Sequence, residues 1–351
     1  MVSNLSRFIL RHTQRYGMLE ETLRTSMLTF ILRRLAQSLI ALLVMSALVF
    51  VGVYTIGNPV DILINPQADQ AEIARVTAAL GLDQPVWVQY WKFLTAAFTG
   101  DLGKSFASNI PAVQLILQRM PATVELALTA TLISIVFGVP LGLWAGLKPD
   151  SFSAKSIMAG SILGFSLPTF WVGLMLIMIF SVWLGWLPST GRGETIEVLG
   201  LHLSIFSWDG LRHLLLPAIN LALFKLSLLI RLTRAGTREA MVQDYVRFAR
   251  AKGVPERRVV SVHVLKNILI PIVTVAGLEF GSLIAFAIIT ETVFAWPGMG
   301  KLLIDSINVL DRPVIVAYLM IIVFLFIIIN LVVDVLYTAL DPRVRVAGAR
   351  A

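Results

Sequence analysis

A chain of 351 residues that is 57% hydrophobic and only 14% charged falls well short of the roughly 25% charge of a soluble domain. Its mean hydropathy of +0.82 leaves more apolar surface than it can bury in itself, so a lipid bilayer has to be its solvent. The absence of cysteine excludes disulfides, thiolate metal sites and a cysteine nucleophile, and the net charge of +8 is carried beside apolar runs, which fits orientation in a membrane and not a nucleic-acid partner.

Residues 1–29 form a basic N-terminal extension. Arg7, Arg11 and Arg15 are four apart and share a helical face, so either a helix on the inner membrane surface or an unstructured tail fits. The first span is expected at 35–56. Arg33 and Arg34 before it imitate a signal peptide, but the apolar run is too long and lacks a small-residue exit, so it reads as an uncleaved anchor. Residues 57–119 form a polar interval. Within it, 71–80 reads as a helix closed by Gly81, and Asp83 with Pro85 opens a second through Trp87, Tyr90, Trp91 and Phe93. These aromatics suit an interfacial belt or a small packed core.

Further spans are expected at 123–147, 156–184, 214–232, 268–289 and 314–340. Each reaches about 20 apolar residues, enough to cross about 30 Å of hydrocarbon. Backbone groups in lipid must bond internally, so all six are helices. Gly138, Pro140, Gly142 and Gly146 in the second span, and Gly160, Gly164, Pro168 and Gly173 in the third, predict close helix approach and kinks in a packed bundle. With the N-terminus inside, inside segments hold 20 of the 29 Lys and Arg, outside segments hold 8, and Lys225 lies within the fourth span. That bias sets both termini in the cytoplasm.

The polar, basic stretch 243–271 interrupts this apolar chain. Nine Lys or Arg fall between Arg231 and Lys266. Val242, Tyr245, Val246 and Ala249 recur at helical spacing, so one face can dock while the basic face stays wet. Gly253 suits the left-handed residue after a helix, and Pro255 the first turn of the next. The spacing predicts two short helices around a glycine elbow, a geometry suited to mechanical contact with another protein.

This stretch resembles the cytoplasmic coupling loop of ABC-importer permeases. The general pattern is E-A-A, three residues, Gly, nine residues, Ile, any, Leu-Pro. Arg247, Phe248 and Ala249 take its first places, Gly253 the glycine, and His263, Val264, Leu265 and Lys266 the last four. Only Ala249, Gly253 and Leu265 match that form. The variant D-Y-V-R-x-A-R-A-K-G followed by H-x-L-[KR]-N is similar to the dipeptide/oligopeptide permease branch, and there the match is nearly complete. Strings such as L-G-L-D-Q-P-V-W-V-Q-Y, S-L-P-T-F-W-V-G and T-E-T-V-F-A-W-P-G-M-G resemble the same branch, from about Phe30 to Arg345. Gly57-Asn58-Pro59 departs from the usual Gly-Asp-Pro, which bears on the substrate.

The resemblance implies an all-α integral membrane protein, a six-transmembrane-helix bundle of the type I ABC importer permease kind. It would carry a cytoplasmic two-helix coupling loop at about 235–267 and a small extracytoplasmic helical insertion. The expected organisation is an extension at 1–29, a first helix at 30–56, the insertion at 57–119, a permease core at 120–340 and a cytoplasmic tail at 341–351. The chain is then a multi-pass permease subunit in a bacterial or archaeal cytoplasmic membrane, importing di- or oligopeptides, a nickel chelate, glutathione or an oligosaccharide. Implied partners are a homologous second permease, two cytoplasmic ATP-binding subunits and an extracytoplasmic solute-binding protein. ATP and Mg2+ would be bound by the ATPases and no cofactor by this chain. Asp244, Tyr245, Arg247, Ala249, Arg250, Lys252, Gly253 and Glu256 are the expected ATPase-coupling residues, with Ala249 facing the ATPase groove.

Other candidate chemistry is sparse. A-W-P-G-M-G-K-L at Ala295 brushes the phosphate-loop pattern but lacks its first glycine and its hydroxyl residue; a turn ending the fifth span is the simpler reading. The four histidines, His12, His202, His213 and His263, form no H-E-x-x-H motif, and no metal site is expected. Lys225 and Glu279 lie deep in apolar spans, where a charge costs at least a few kcal/mol. They are either a polar point on the transport path or a packing ion pair. An ion-coupled secondary transporter using them as a relay is the alternative function, though it leaves the coupling motif unexplained. Glu125, Arg231, Asn330 and Asp334 near span ends read as caps, anchors and interhelical bonds.

Overall fold

The computed structural model describes residues 36–52, 69–79 and 83–340. The extension at 1–29, the outer end of the first span, Gly81 and the tail at 341–351 lie outside the described residues. In chain order the helices are α1 Ala36–Gly52, α2 Gln70–Ala79, α3 Val86–Phe98, α4 Ala112–Leu147, α5 Phe152–Ser166 and α6 Thr169–Leu176, which runs on through wider π turns to Trp183. A short antiparallel hairpin, β1 Ile196–Val198 with β2 Leu201–Leu203, precedes α7 Trp208–Met241 and α8 Asp244–Ala251. α9 Glu256–Phe286, α10 Ile288–Val293, α11 Met299–Asn308 and α12 Arg312–Leu340 complete the chain.

Among the described residues four helices, α4, α7, α9 and α12, are long and apolar enough to cross a membrane, and α5 with α6 makes a fifth if counted as one broken span. The third expected span is not straight. α5 and α6 meet at a break bent by 109°; the break arises because Pro168 has no N–H to donate and its ring forces the preceding residue out of the helix. Leu167 accordingly takes an extended conformation (φ −81°, ψ 137°). The second span is longer than its apolar run. α4 begins at Ala112, passes through Pro121 and Pro140, and has 36 residues, roughly 54 Å at 1.5 Å each. α7 likewise continues past the apolar run to Met241.

α4 and α7 pack along a seam of small residues. A Cβ added at Gly142 would lie 2.6 Å from the Ile230 carbonyl oxygen and from Thr233 Cβ, and one at Gly146 2.6 Å from Thr237 Cβ. Without a hydrophobic drive between helices in lipid, this close approach is how two helices hold each other. α1 packs on α3 through the Ser46–Tyr90 hydroxyl bond (2.8 Å) and the Phe50 ring against Tyr90 and Phe93.

Two buried clusters sit at opposite ends of the bundle. One gathers Ile116, Leu126, Leu214, Ile284, Trp296, Met299 and Tyr318, and the other gathers Val139, Leu229, Ala240, Val246, Ala249, Val259, Val264, Ile268 and Ile272. The second cluster is the floor on which the basic loop rests.

Candidate functional site

α8 starts with Asp244 in its first turn and ends with Arg250 in its last, the charge order that suits the helix dipole. Its end is a Schellman motif. The Gly253 N–H donates to the Arg250 carbonyl (2.9 Å), and the Val254 N–H donates to the Ala249 carbonyl (3.1 Å). This closure requires a left-handed residue at Gly253, and its φ is +75°. Pro255 sits one place earlier than the sequence suggests: its carbonyl accepts the first bonds of α9 from Arg258 and Val259 (2.8 and 3.1 Å), so it caps the helix and does not open its first turn.

The elbow is present, but the second helix is not short. From Glu256 it passes through a π turn at Val259–Val264 and continues as the long span α9. The elbow is therefore continuous with a helix long and apolar enough to cross a membrane.

Ala249 does not face outward. Val246 and Ala249, three apart on α8, are buried in the cluster with Val139 of α4, Leu229 and Ala240 of α7, and Val259 and Ile268 of α9. The outward side instead carries Tyr245, 39% exposed, and Phe248, 62% exposed, with the Lys252 ammonium 4.5 Å from the Phe248 ring centre. Val242, expected on the docking stripe, is the cap residue of α7 and is exposed. It lies outside α8 and does not share its helical phase.

The charged residues of the loop also divide. Arg247 and Asp244 are solvated, 3.9 Å apart. Arg250 and Glu256 clasp each other across the elbow, Nη2 to Oε1 at 2.6 Å and Nε to Oε2 at 3.1 Å. The fork geometry is the bidentate one. Arg250, expected among the ATPase-coupling residues, is thus engaged within the loop.

Inside the bundle, Lys225 of α7 and Glu279 of α9 form an ion pair. They line a small, partly open pocket with Thr131, Ser134, Leu228, Leu229, Ala276 and Leu283, where α4, α7 and α9 meet. Thr131 and Ser134 spend their hydroxyl protons on carbonyls of α4 and α7, at Ala127 for Thr131 and at Ala130 and Ala222 for Ser134.

Three carboxylates are buried at the other end: Glu125, read from the sequence as a cap, anchor or interhelical bond, Glu291, inside the string T-E-T-V-F-A-W-P-G-M-G, and Asp311, which no motif singles out. Glu125 of α4 accepts from Arg192 Nη2 (2.7 Å) and from the Ser204 and Ile205 N–H groups (2.6 and 2.8 Å), which pins the hairpin to the bundle. Asp311 ahead of α12 accepts from Ser105 Oγ (2.5 Å) and the Phe106 N–H (3.0 Å). Glu291 accepts from Thr123 Oγ1 (2.6 Å) and the Lys301 N–H (2.9 Å), and a Cβ on Gly298 or Gly300 would overlap its carboxylate. The loop that brushes the phosphate pattern is thus an anion-holding turn filled by the chain's own Glu291. Backbone N–H groups at a helix start favour any anion, a carboxylate as readily as a phosphate.

The family model described as "Binding-protein-dependent transport system inner membrane component" matches residues 138–346, and its N-terminal companion matches 27–127. The chain is 39% identical over 320 residues to the glutathione transport system permease protein GsiC of Salmonella paratyphi A, covering 91% of this chain and 99% of that protein. It is 40% identical over 320 residues to a putative peptide transport system permease protein of Brucella abortus, with the same coverage. With the dipeptide transport system permease protein DppB of Alkalihalophilus pseudofirmus it shares 37% identity over 332 residues, 91% of this chain and all of that protein.

Proposed function

Because this chain belongs to the inner membrane components of binding-protein-dependent transport systems, the permease subunits of ABC importers of the peptide branch, we propose that it forms one half of a path that carries di- or oligopeptides, glutathione or a related small solute inward. The names of its relatives support that solute class. Its partners are a homologous second permease, two cytoplasmic ATP-binding subunits and an extracytoplasmic solute-binding protein. ATP and Mg2+ are bound and used in the ATP-binding subunits, and this chain has no nucleotide-hydrolysing site of its own. Both termini and α8 lie on the cytoplasmic side, in keeping with the Lys and Arg bias.

The observation that carries the coupling role is the two-sidedness of α8. Val246 and Ala249 root it in a cluster shared by three spans, while Tyr245, Phe248, Arg247 and Lys252 are left outward. An ATPase gripping the outer face moves α4, α7 and α9 together, and α9 directly through the elbow. Phe248 and Tyr245 are the groups that enter the ATPase groove, with Arg247 and Lys252 around them. The Arg250–Glu256 clasp and Gly253 keep α8 at a fixed angle to α9.

The test is purification with the second permease and the ATP-binding subunits, followed by addition of the binding protein loaded with a dipeptide mixture or glutathione. ATP hydrolysis should rise on addition of loaded binding protein and not of the empty form. A complex that assembles but whose hydrolysis ignores every loaded binding protein would refute the reading.

A further inference from the structure

Glu279, Lys225, Phe224, Phe165 and Arg231 form one unbroken line of contacts across the bundle. The Glu279–Lys225 ion pair leads to the Phe224 ring, 5.1 Å from Lys225 Nζ to its centre. Phe224 stacks on Phe165 of α5 at 4.6 Å and 24°, and the Arg231 guanidinium carbon lies 4.5 Å from the centre of the Phe165 ring. Phe224, Leu228 and Arg231 follow at helical spacing on α7, with Lys225 beside them, so the line occupies the strip of α7 between α5 and α9.

Among the described residues this strip is only partly covered. Phe165 and Phe224 are exposed, and the Glu279 side chain keeps 31% of its surface open against 12% for Lys225. It is not fit for lipid either, since a charged group facing hydrocarbon is unfavourable and such groups in spans turn to a partner or to water. Arg231 has only the Ser227 carbonyl (3.3 Å) and the Phe165 ring; among the described residues no carboxylate pairs with it. Two cations and one anion leave the strip with a surplus positive charge beside a broad aromatic surface.

We propose that this strip lines the solute path and receives a solute carrying a carboxylate next to an apolar side chain, as a short peptide does. Arg231, and Lys225 when it parts from Glu279, meet the carboxylate, and the stacked rings meet the apolar group. The inference rests on the importer reading and adds the surface and the solute chemistry.

The chain has no cysteine of its own, so one introduced thiol is its single labelling site, read against the same complex without it. Leu228→Cys, between Lys225 and Arg231, is assembled into the full complex in nanodiscs. It is treated with membrane-impermeant methanethiosulfonates bearing either a sulfonate or a trimethylammonium group, with and without ATP. The thiol should react in at least one nucleotide condition and, with all rates taken relative to those of each reagent with a free thiol in solution, the anionic reagent should react about fivefold or more faster than the cationic one, given one unbalanced charge nearby. Adding Arg231→Met should bring that ratio towards one. No reaction in either condition, or equal rates for both reagents with Arg231 present, would overturn the proposal. ATP hydrolysis stimulated by loaded binding protein is measured on the parent complex without the introduced thiol. If that is intact and Cys-labelling fails, the path assignment alone is wrong; if it is absent, the importer reading fails first.

Discussion

Replacing Gly253 separates the geometry of the elbow from its contacts. An ideal Cβ at this position meets nothing within 4 Å, so a side chain causes no collision, and the whole effect comes from the φ of +75°. Holding a non-glycine residue in the left-handed region costs of order 1–3 kcal/mol, least for Asn and most for a β-branched residue. At 1.4 kcal/mol per tenfold, the native elbow would lose roughly five- to 100-fold in relative population. The two Schellman bonds would go with it, while Val246 and Ala249 keep their cluster. Gly253→Asn, →Ala and →Val should therefore give complexes that insert and assemble, with solute-stimulated ATP hydrolysis and uptake falling in that order and nearly lost for Val. The assay is parallel measurement of assembly, basal hydrolysis, stimulated hydrolysis and uptake in proteoliposomes. Full coupled uptake by Gly253→Val, or an Asn variant as impaired as Val, would refute the argument that the left-handed backbone sets the coupling angle.

Phe248→Ala should assemble poorly with the ATP-binding subunits yet leave the permease as heat-stable as the parent, whereas Ala249→Trp should lower its stability, because overpacking a buried site costs about 1–3 kcal/mol or more; a pull-down and a thermal melt on each variant check this, and the reverse pattern would show that Ala249 faces the partner. Lys225→Met and Glu279→Gln should each lower the melting temperature more than the two together, since removing one partner strands the other's charge in the bundle; additive losses in the double-mutant cycle would show that the pair is not coupled. Gly142→Val should depress yield and melting temperature sharply, because its Cβ has only 2.6 Å to the Ile230 carbonyl; a normal melt would mean that α4 and α7 can part. Reporter fusions after Trp186 should read outside and after Gly253 inside, and an outside reading at Gly253 would overturn the orientation and the coupling role together.

Much of the architecture follows from local constraints that the chain carries on its face. Lipid cannot satisfy backbone polar groups, so a long apolar run must be a helix, and α4, α7, α9 and α12 stand where the runs are. Gly253 was legible for the same reason: a basic helix run, then Gly, then Val-Pro, specifies a left-handed closure using only neighbouring residues. Pro168 signalled a break, but not the 109° bend, which depends on what α5 and α6 pack against.

What α8 shows to its surroundings was decided only in three dimensions. The stripe Val242, Tyr245, Val246 and Ala249 assumes one continuous helix, but the chain turns between Val242 and Asp244, so Val242 drops out and the inward face narrows to Val246 and Ala249. Hydropathy cannot tell a tyrosine or phenylalanine held in reserve for a partner from one packed at home. The charges are similar. Glu125, Glu291 and Asp311 look alike in sequence to any carboxylate near a span end, and only the fold brings to them the N–H and hydroxyl groups of segments distant in the chain. Lys225 and Glu279 were conspicuous because charge is rare in an apolar run, but their meeting depends on the rotation of α7 against α9. Helical period fixes which residues share a face, while the packing of other helices fixes what that face meets.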